Sequence, residues 1–504
     1  MRISAYVIFG LLIWAGLFLR FFQLEEKPMH ADEAVNGVMV HRVLEGEPVT
    51  FDPTHYHGPS LRYLALLSTG LYKVVTGEGL SEVSLRWLTA LAGVLGVFSV
   101  SLFKRWIGFR AGLAALALMA VSPGFIYFSR YFIHEILFVL ITLVFLFSLW
   151  RLLEKRDLKW ALWTGGLLGL LHATRETALI VLAAAGLALI AVLGKNLNRE
   201  ARWVVSGNGS KTIGVAVLCA LGVSVLFYSA FFTQLRGPID SVLTYFSYTI
   251  EPGHEKPFYY YLGLILGRGT ALGYLGEGWA LLLGLLGLWV SFKHGKRGES
   301  GYSFHTFLAV YVLLTTASYS LIGYKTPWLA LNILAGWMLL AGIGWAFAFE
   351  KLSAPWMRFA WGALLILFLG QSLYQSHLLA FRYSTHSRNP YAYSHTSPDL
   401  LQLVDRIETL AGYHPDGLGM RIDIMANEYW PLPWYLRNFS AVGYWETPPP
   451  QSNAPIRIYS LSDAEGIARI DEASYITEMR GLRDGVLLLV AVEKNLWERQ
   501  FPTE

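Results

Sequence analysis

Eleven apolar runs separated by polar turns organise this chain. They cover residues 3–24, 84–103, 111–129, 135–153, 158–171, 177–194, 212–234, 272–292, 303–322, 328–349 and 358–378. At about 1.5 Å of rise per residue, most match the hydrocarbon thickness of a bilayer, which about 20 helical residues cross. The pattern predicts an α-helical polytopic membrane protein with about eleven transmembrane helices. Arg2, Lys104, Arg105, Arg151, Lys155, Arg156, Lys195, Arg199, Arg202, Lys293, Lys296, Arg297 and Lys351 all fall on one side of that arrangement. Positive charge marks the cytoplasmic side, and an odd span count then puts the C-terminal segment outside. The run Ile3–Leu24 is too long for a signal-peptide core and no small-residue cleavage site follows it, so it is expected to stay as an anchor.

Two segments break the pattern. The first external loop, 25–83, is too long to be a connector. Val35, Val38, Met39 and Val43 share one helical face, with Asp32, Asn36 and Arg42 off it, until Gly46 and Pro48 stop the helix. A second run opens at Pro59 and carries Leu61, Leu64, Leu67, Leu71 and Val74. Both read as helices lying in the interface, joined through Thr54-His55-Tyr56-His57-Gly58-Pro59. The segment 382–504 has helical patterns at 399–411 and 463–470 and strand-like runs at Arg421–Met425, Ile456–Tyr459 and Val486–Val492. This predicts a small α/β C-terminal extracytoplasmic domain behind a transmembrane domain of residues 1–381.

Composition narrows the function classes. A mean hydropathy of +0.42 excludes a soluble enzyme. The 18 Trp and 27 Tyr suit both membrane interfaces and a cavity for sugar or lipid. The formal charge of +4 is distributed by topology and points to no nucleic-acid partner. Cys219 is the single cysteine and lies in an apolar run, which excludes an intramolecular disulfide and a cysteine metal cluster.

Candidate chemistry gathers in the outer turns. Met29-His30-Ala31-Asp32-Glu33-Ala34 places two carboxylates and a histidine just past the first span, where charge near lipid is costly. Such acids take a proton, orient an acceptor or hold a divalent cation. Asp32 equally suits a helix N-cap, with Glu33 in the first turn. Ser129-Arg130-Tyr131-Phe132-Ile133-His134-Glu135 offers a second acid, or an Arg130–Glu135 ion pair at a helix start. In His172-Ala173-Thr174-Arg175-Glu176, Arg175 is suited to a lipid phosphate, or to an ion pair with Glu176. Arg268, in the Gly-rich stretch 263–278, and Lys325, in Tyr324-Lys325-Thr326-Pro327-Trp328, are further phosphate candidates or interfacial anchors. His30, His55 and His57 are a candidate zinc set whose geometry the spacing leaves open.

With these motifs the chain resembles the GT-C superfamily, which includes protein O-mannosyltransferases, aminoarabinose transferases and oligosaccharyltransferases. The shared pattern is an acidic motif in the first external loop, here Asp32-Glu33, and a second acid after a short outer turn, here Glu135 where the mannosyltransferase pattern has aspartate. More closely it resembles the family named "flippase activity-associated", linked to archaeal glycosylation. That likeness rests on His30–Ala34, Tyr56–Pro59, Tyr324–Trp328, Asn389-Pro390-Tyr391, His395–Asp399 and Trp430–Arg437.

The resemblance implies a plasma-membrane enzyme that transfers a sugar from a polyprenyl-phosphate donor to a glycan, lipid or protein acceptor on the outer face. Asp32, Glu33 and Glu135 are its expected catalytic acids. His57, Arg130, Arg175, Arg268, Tyr324 and Lys325 are its expected substrate contacts, and a Mg or Mn ion would sit on Asp32, Glu135 and His30. The rival expectation is a flippase, or an accessory subunit, for lipid-linked glycans. A transporter, however, places ionisable residues near the midplane within inverted repeats, and neither feature is visible here.

Overall fold

The structure is a computed structural model and describes residues 2–47, 51–54, 57–247, 253–270, 273–294, 302–445, 452–461, 467–468 and 470–500. His55, Tyr56, Lys296, Arg297 and most of the helix expected at 463–470 lie outside the described residues. The chain forms two compact units, Met1–Leu24 with Pro48–Arg382, and Glu25–Glu47 with Tyr383–Glu504.

The first unit is the helical bundle of a multi-pass membrane protein. A helix occupies each of the eleven predicted runs, but eleven crossings do not follow. Among the described residues six helices are long and apolar enough to span: Glu82–Ile107, His134–Lys155, Gly207–Tyr228, Phe304–Leu321, Pro327–Lys351 and Pro355–Arg382. Counting each bent pair as one span raises this to eight. One such pair, Phe109–Val121 with Pro123–Ser129, bends by 56°. There Pro123 removes a backbone donor and the Ser122 side chain caps the new helix instead. The first helix, α1 (Arg2–Leu19), ends before the predicted Leu24. The Arg20 guanidinium folds back onto the carbonyls of Gly16 (2.6 Å), Ala120 (2.7 Å) and Met119 (3.1 Å), closing the helix end and pinning it to a neighbour.

Small residues let the helices meet. Leu158–Thr174 lies on Gly207–Tyr228, and a Cβ added at Gly165 would come within 2.1 Å of the Ala216 carbonyl oxygen. Packing of this kind holds helices together where lipid removes the hydrophobic drive. The opposite face of Gly207–Tyr228, with Val217, Leu218 and Leu221, stays exposed, as a lipid-facing surface should.

The second unit contains a five-stranded mixed sheet. The strands introduced here, in chain order, are β1 (Ile422–Met425), β2 (Val442–Tyr444), β3 (Ile456–Ser460), β4 (Tyr475–Arg483) and β5 (Val486–Glu493). The spatial order is β2-β1-β3-β5-β4, with β1 parallel to both β2 and β3 and β5 antiparallel to β3 and β4. The helix Asp399–Tyr413, predicted at 399–411, places Leu400, Leu403, Ile407 and Leu410 against Ile422, Ile424, Ile458 and Val490. The strands β2 and β4 escape the sequence reading because β2 is three residues long and β4 alternates weakly.

The segment 25–47, expected with the membrane domain, belongs to this second unit instead. It carries the predicted helix α2 (Ala31–Leu44). Hydrogen bonds take part in its attachment. The Met29 amide donates to the Tyr435 hydroxyl at 2.8 Å, and the Thr396 hydroxyl donates to the Met29 carbonyl at 2.6 Å.

Candidate active site

The acidic motif is built around the start of α2. The N-cap is His30, and Asp32 does not cap. The His30 Nδ1 accepts from the Asp32 amide at 3.0 Å, while the Glu33 carboxylate returns to accept from the His30 amide at 3.1 Å. This reciprocal box satisfies two of the donors a helix start leaves open. An acceptor Nδ1 puts the proton on Nε2, which donates to the Tyr393 carbonyl at 3.0 Å. Burial pushes His30 below its ordinary value, consistent with this neutral ring.

The two acids therefore differ in kind. Glu33 is fully buried and holds the helix start. Asp32 has a side chain 50% exposed, and its carboxylate accepts no hydrogen bond among the described residues. The nearest basic atom, His30 Nδ1 at 3.9 Å, is the ring's acceptor face and carries no proton to share.

In the first unit a second cluster forms where several turns meet. Glu135, in the first turn of His134–Lys155, is paired with the Arg175 guanidinium, and both side chains are buried. Arg175 Nε also reaches the Glu176 carboxylate at 3.4 Å. On its other oxygen Glu176 meets His57 Nδ1 at 2.9 Å. Burial alone would raise the Glu176 carboxyl, but the His57 charge and hydrogen bond and the Arg175 guanidinium hold it well below the usual carboxylate range. His134 Nε2 lies 3.1 Å from the Gly58 carbonyl, and Ser60 donates to Thr174 at 2.8 Å. Gly58 is required at this junction, because a Cβ there would sit 2.3 Å from the Ala173 carbonyl oxygen.

This geometry corrects several expectations. Arg130 does not pair with Glu135. Its guanidinium donates to the carbonyls of Leu19 (2.8 Å), Phe22 and Gln23 (2.7 Å) and lies over the Phe381 ring at 4.2 Å, so it fastens the chain leaving α1. Lys325 is buried, with its ammonium on the carbonyls of Lys256 (3.1 Å) and Ile322. Tyr324 bridges to Glu255 through the backbone, and its ring lies tilted beside His254 with centroids 4.9 Å apart. Arg268 is different, since it stands exposed on the strand Arg268–Thr270, paired with Gly273–Leu275, and its side chain makes no hydrogen bond or ion pair among the described residues.

The proposed metal set does not fit. Both nitrogens of His30 are engaged, Glu135 is held by Arg175, and His55 lies outside the described residues. Among the described residues no group of three His, Cys, Asp or Glu side chains converges to hold an ion. Sequence reasoning also passed over the buried arginines Arg20, Arg62 and Arg86 and the buried Glu277. Each lies at the margin of an apolar run, and that placement was the one signal available.

A family model described as dolichyl-phosphate-mannose-protein mannosyltransferase matches residues 56–228. No curated protein matches the chain by sequence. Among solved structures, ArnT from Cupriavidus metallidurans bound to undecaprenyl phosphate superposes with a TM-score of 0.65 at 14% identity, over 97% of this chain and 98% of that one. The archaeal oligosaccharyltransferase AglB from Archaeoglobus fulgidus, in complex with an inhibitory peptide and a dolichol-phosphate, superposes with a TM-score of 0.56 at 14% identity, over 99% of this chain and 77% of that one. The chain thus has the GT-C fold along nearly its whole length.

Proposed function

We propose that this protein is an inverting membrane glycosyltransferase that moves a sugar from a polyprenyl-phosphate donor to an acceptor hydroxyl or amide on the outer face of the plasma membrane. The observation that carries the reading is Asp32, a half-exposed carboxylate without a neutralising partner at a helix start held rigid by its neighbours. The fold shared with ArnT and the match to the mannosyltransferase model support the reaction class.

In this reading Asp32 takes the acceptor proton as the acceptor oxygen or nitrogen attacks the anomeric carbon and the bond to the donor phosphate breaks. Glu33 fixes the backbone from which Asp32 projects. Recognition of a lipid phosphate needs positive charge, and of the four expected cations Arg268, in the first unit, is the one whose side chain stands exposed without an ion pair among the described residues. Arg175, balanced by Glu135 and Glu176, shapes the turn that carries His57. A transporter would bury its ionisable groups at mid-membrane, whereas these carboxylates stand at helix starts. The test is transfer from a synthetic polyprenyl-phosphate sugar by purified protein, read by mass spectrometry of the lipid-linked and acceptor-linked products. Retention of the intact donor over all acceptor classes would overturn the reading.

A further inference from the structure

A different polar place lies inside the bundle. The helices His134–Lys155, Phe304–Leu321 and Ala330–Lys351 line a cavity of ≈ 10 Å³, with Val139, Thr142, Leu143, Tyr311, Asn332 and Leu339 among its walls. Thr142 and Asn332 are each only 8% exposed. The Thr142 hydroxyl and both polar atoms of the Asn332 amide have no hydrogen-bond partner among the described residues.

Three unsatisfied polar atoms are costly anywhere in a protein, and more so at membrane depth, where no bulk water competes to solvate them. An asparagine kept in a helix this buried needs both a donor and an acceptor facing it. A volume of about 10–15 Å³ is what one water molecule requires, and a buried water is stable with two to four polar partners. Water can accept from the Asn332 amide nitrogen, donate to its oxygen and donate to the Thr142 hydroxyl oxygen. An apolar occupant would leave all three atoms unpaired.

We propose that this cavity is a binding site for a single ordered water molecule, held by Asn332 and Thr142, which ties together two of the three helices. Thr142 lies seven residues beyond Glu135, about 10 Å along its helix, and Asn332 lies in the first turn after the Lys325 turn. The water thus joins the helix that begins beside Glu135 to the helix that follows the Lys325 turn. The proposal stands apart from the transfer reaction and can fail without it.

The test is a thermal-unfolding cycle on the full-length protein in nanodiscs, with Asn332→Leu, Thr142→Val and the double variant. Each single change removes one support of the water and leaves the other group unpaired, so each midpoint should fall by about 2–4 °C. The double variant removes the need for water and should unfold no lower than the worse single variant. Additive losses, or a higher midpoint for Asn332→Leu alone, would overturn the proposal. A high-resolution structure of the unaltered protein gives a second reading should a variant fail to fold. Density for one water between Asn332 and Thr142 supports the site, and a direct bond between the two side chains sinks it.

Discussion

Glu135 pairs with Arg175 and not with Arg130, its neighbour in sequence, and both partners are buried where one helix starts and another ends. That pairing turns an apparent catalytic acid and an apparent phosphate ligand into a single structural unit. Its consequences can be measured.

Removing one partner should be far worse than removing both. Glu135→Gln leaves the Arg175 charge buried beside a neutral amide, with Glu176 as its remaining counter-charge, and should destabilise the protein by up to about 3–5 kcal/mol. The double change Glu135→Gln with Arg175→Gln should recover part of that loss. Unfolding midpoints of the three variants decide it, and equal, additive losses would dismiss the pairing as a determinant of stability.

Asp32→Asn should abolish transfer while leaving the fold intact. The N-cap is His30, so the amide disturbs no cap and removes only charge and basicity. Glu33→Gln should act in the opposite way, weakening the capping box by about 1 kcal/mol with a smaller loss of turnover. Product analysis beside thermal unfolding separates the two. Near-normal transfer by a folded Asp32→Asn protein removes Asp32 from the mechanism.

The start of α2 should loosen in acid. A free histidine takes a proton near 6.5, and burial holds His30 below that value. Between those two points the unfolded chain binds a proton that the folded one refuses. The cap's contribution is therefore complete above about pH 6.5 and declines as pH falls through the window. Protonation of Nδ1 also abolishes its bond from the Asp32 amide. Hydrogen exchange of the Asp32 amide should accelerate across this range. His30→Asn, which caps without titrating, should flatten the profile. An unchanged profile in that variant would show that another group titrates.

Arg268 should carry the donor dependence that Arg175 cannot. Arg268→Ala should raise the KM for the lipid-phosphate donor about tenfold or more with little change in folding, as expected for loss of a charge-assisted contact. Wild-type donor KM in this variant would take Arg268 out of the site.

Topology provides a check of a different kind. Reporter fusions at Lys155 and Asp399 should report opposite sides of the membrane, because Lys155 ends a spanning helix within the basic set expected on the cytoplasmic side. Both on one side would reverse the assigned orientation.

The sequence by itself determined the helical membrane class, the place of each apolar helix, the two helices at Ala31–Leu44 and Ser60–Thr76, and three strands of the sheet. These are local properties: hydropathy over about 20 residues, the 3.6-residue period and turn chemistry are written in neighbouring positions. It also located Asp32, Glu135, His57, Arg175 and Lys325, since charges at the ends of apolar runs stand out. What each charge does was decided by tertiary structure. Arg130 and Lys325 look like ligands in sequence, yet in the fold both donate to backbone carbonyls. Glu135 and Arg175 met because two helices start and end side by side, and Glu33 differs from Asp32 because the helix start turned one carboxylate inward and the other out. A hydrogen-bond partner is set by three-dimensional neighbours, and no spacing along the chain encodes it.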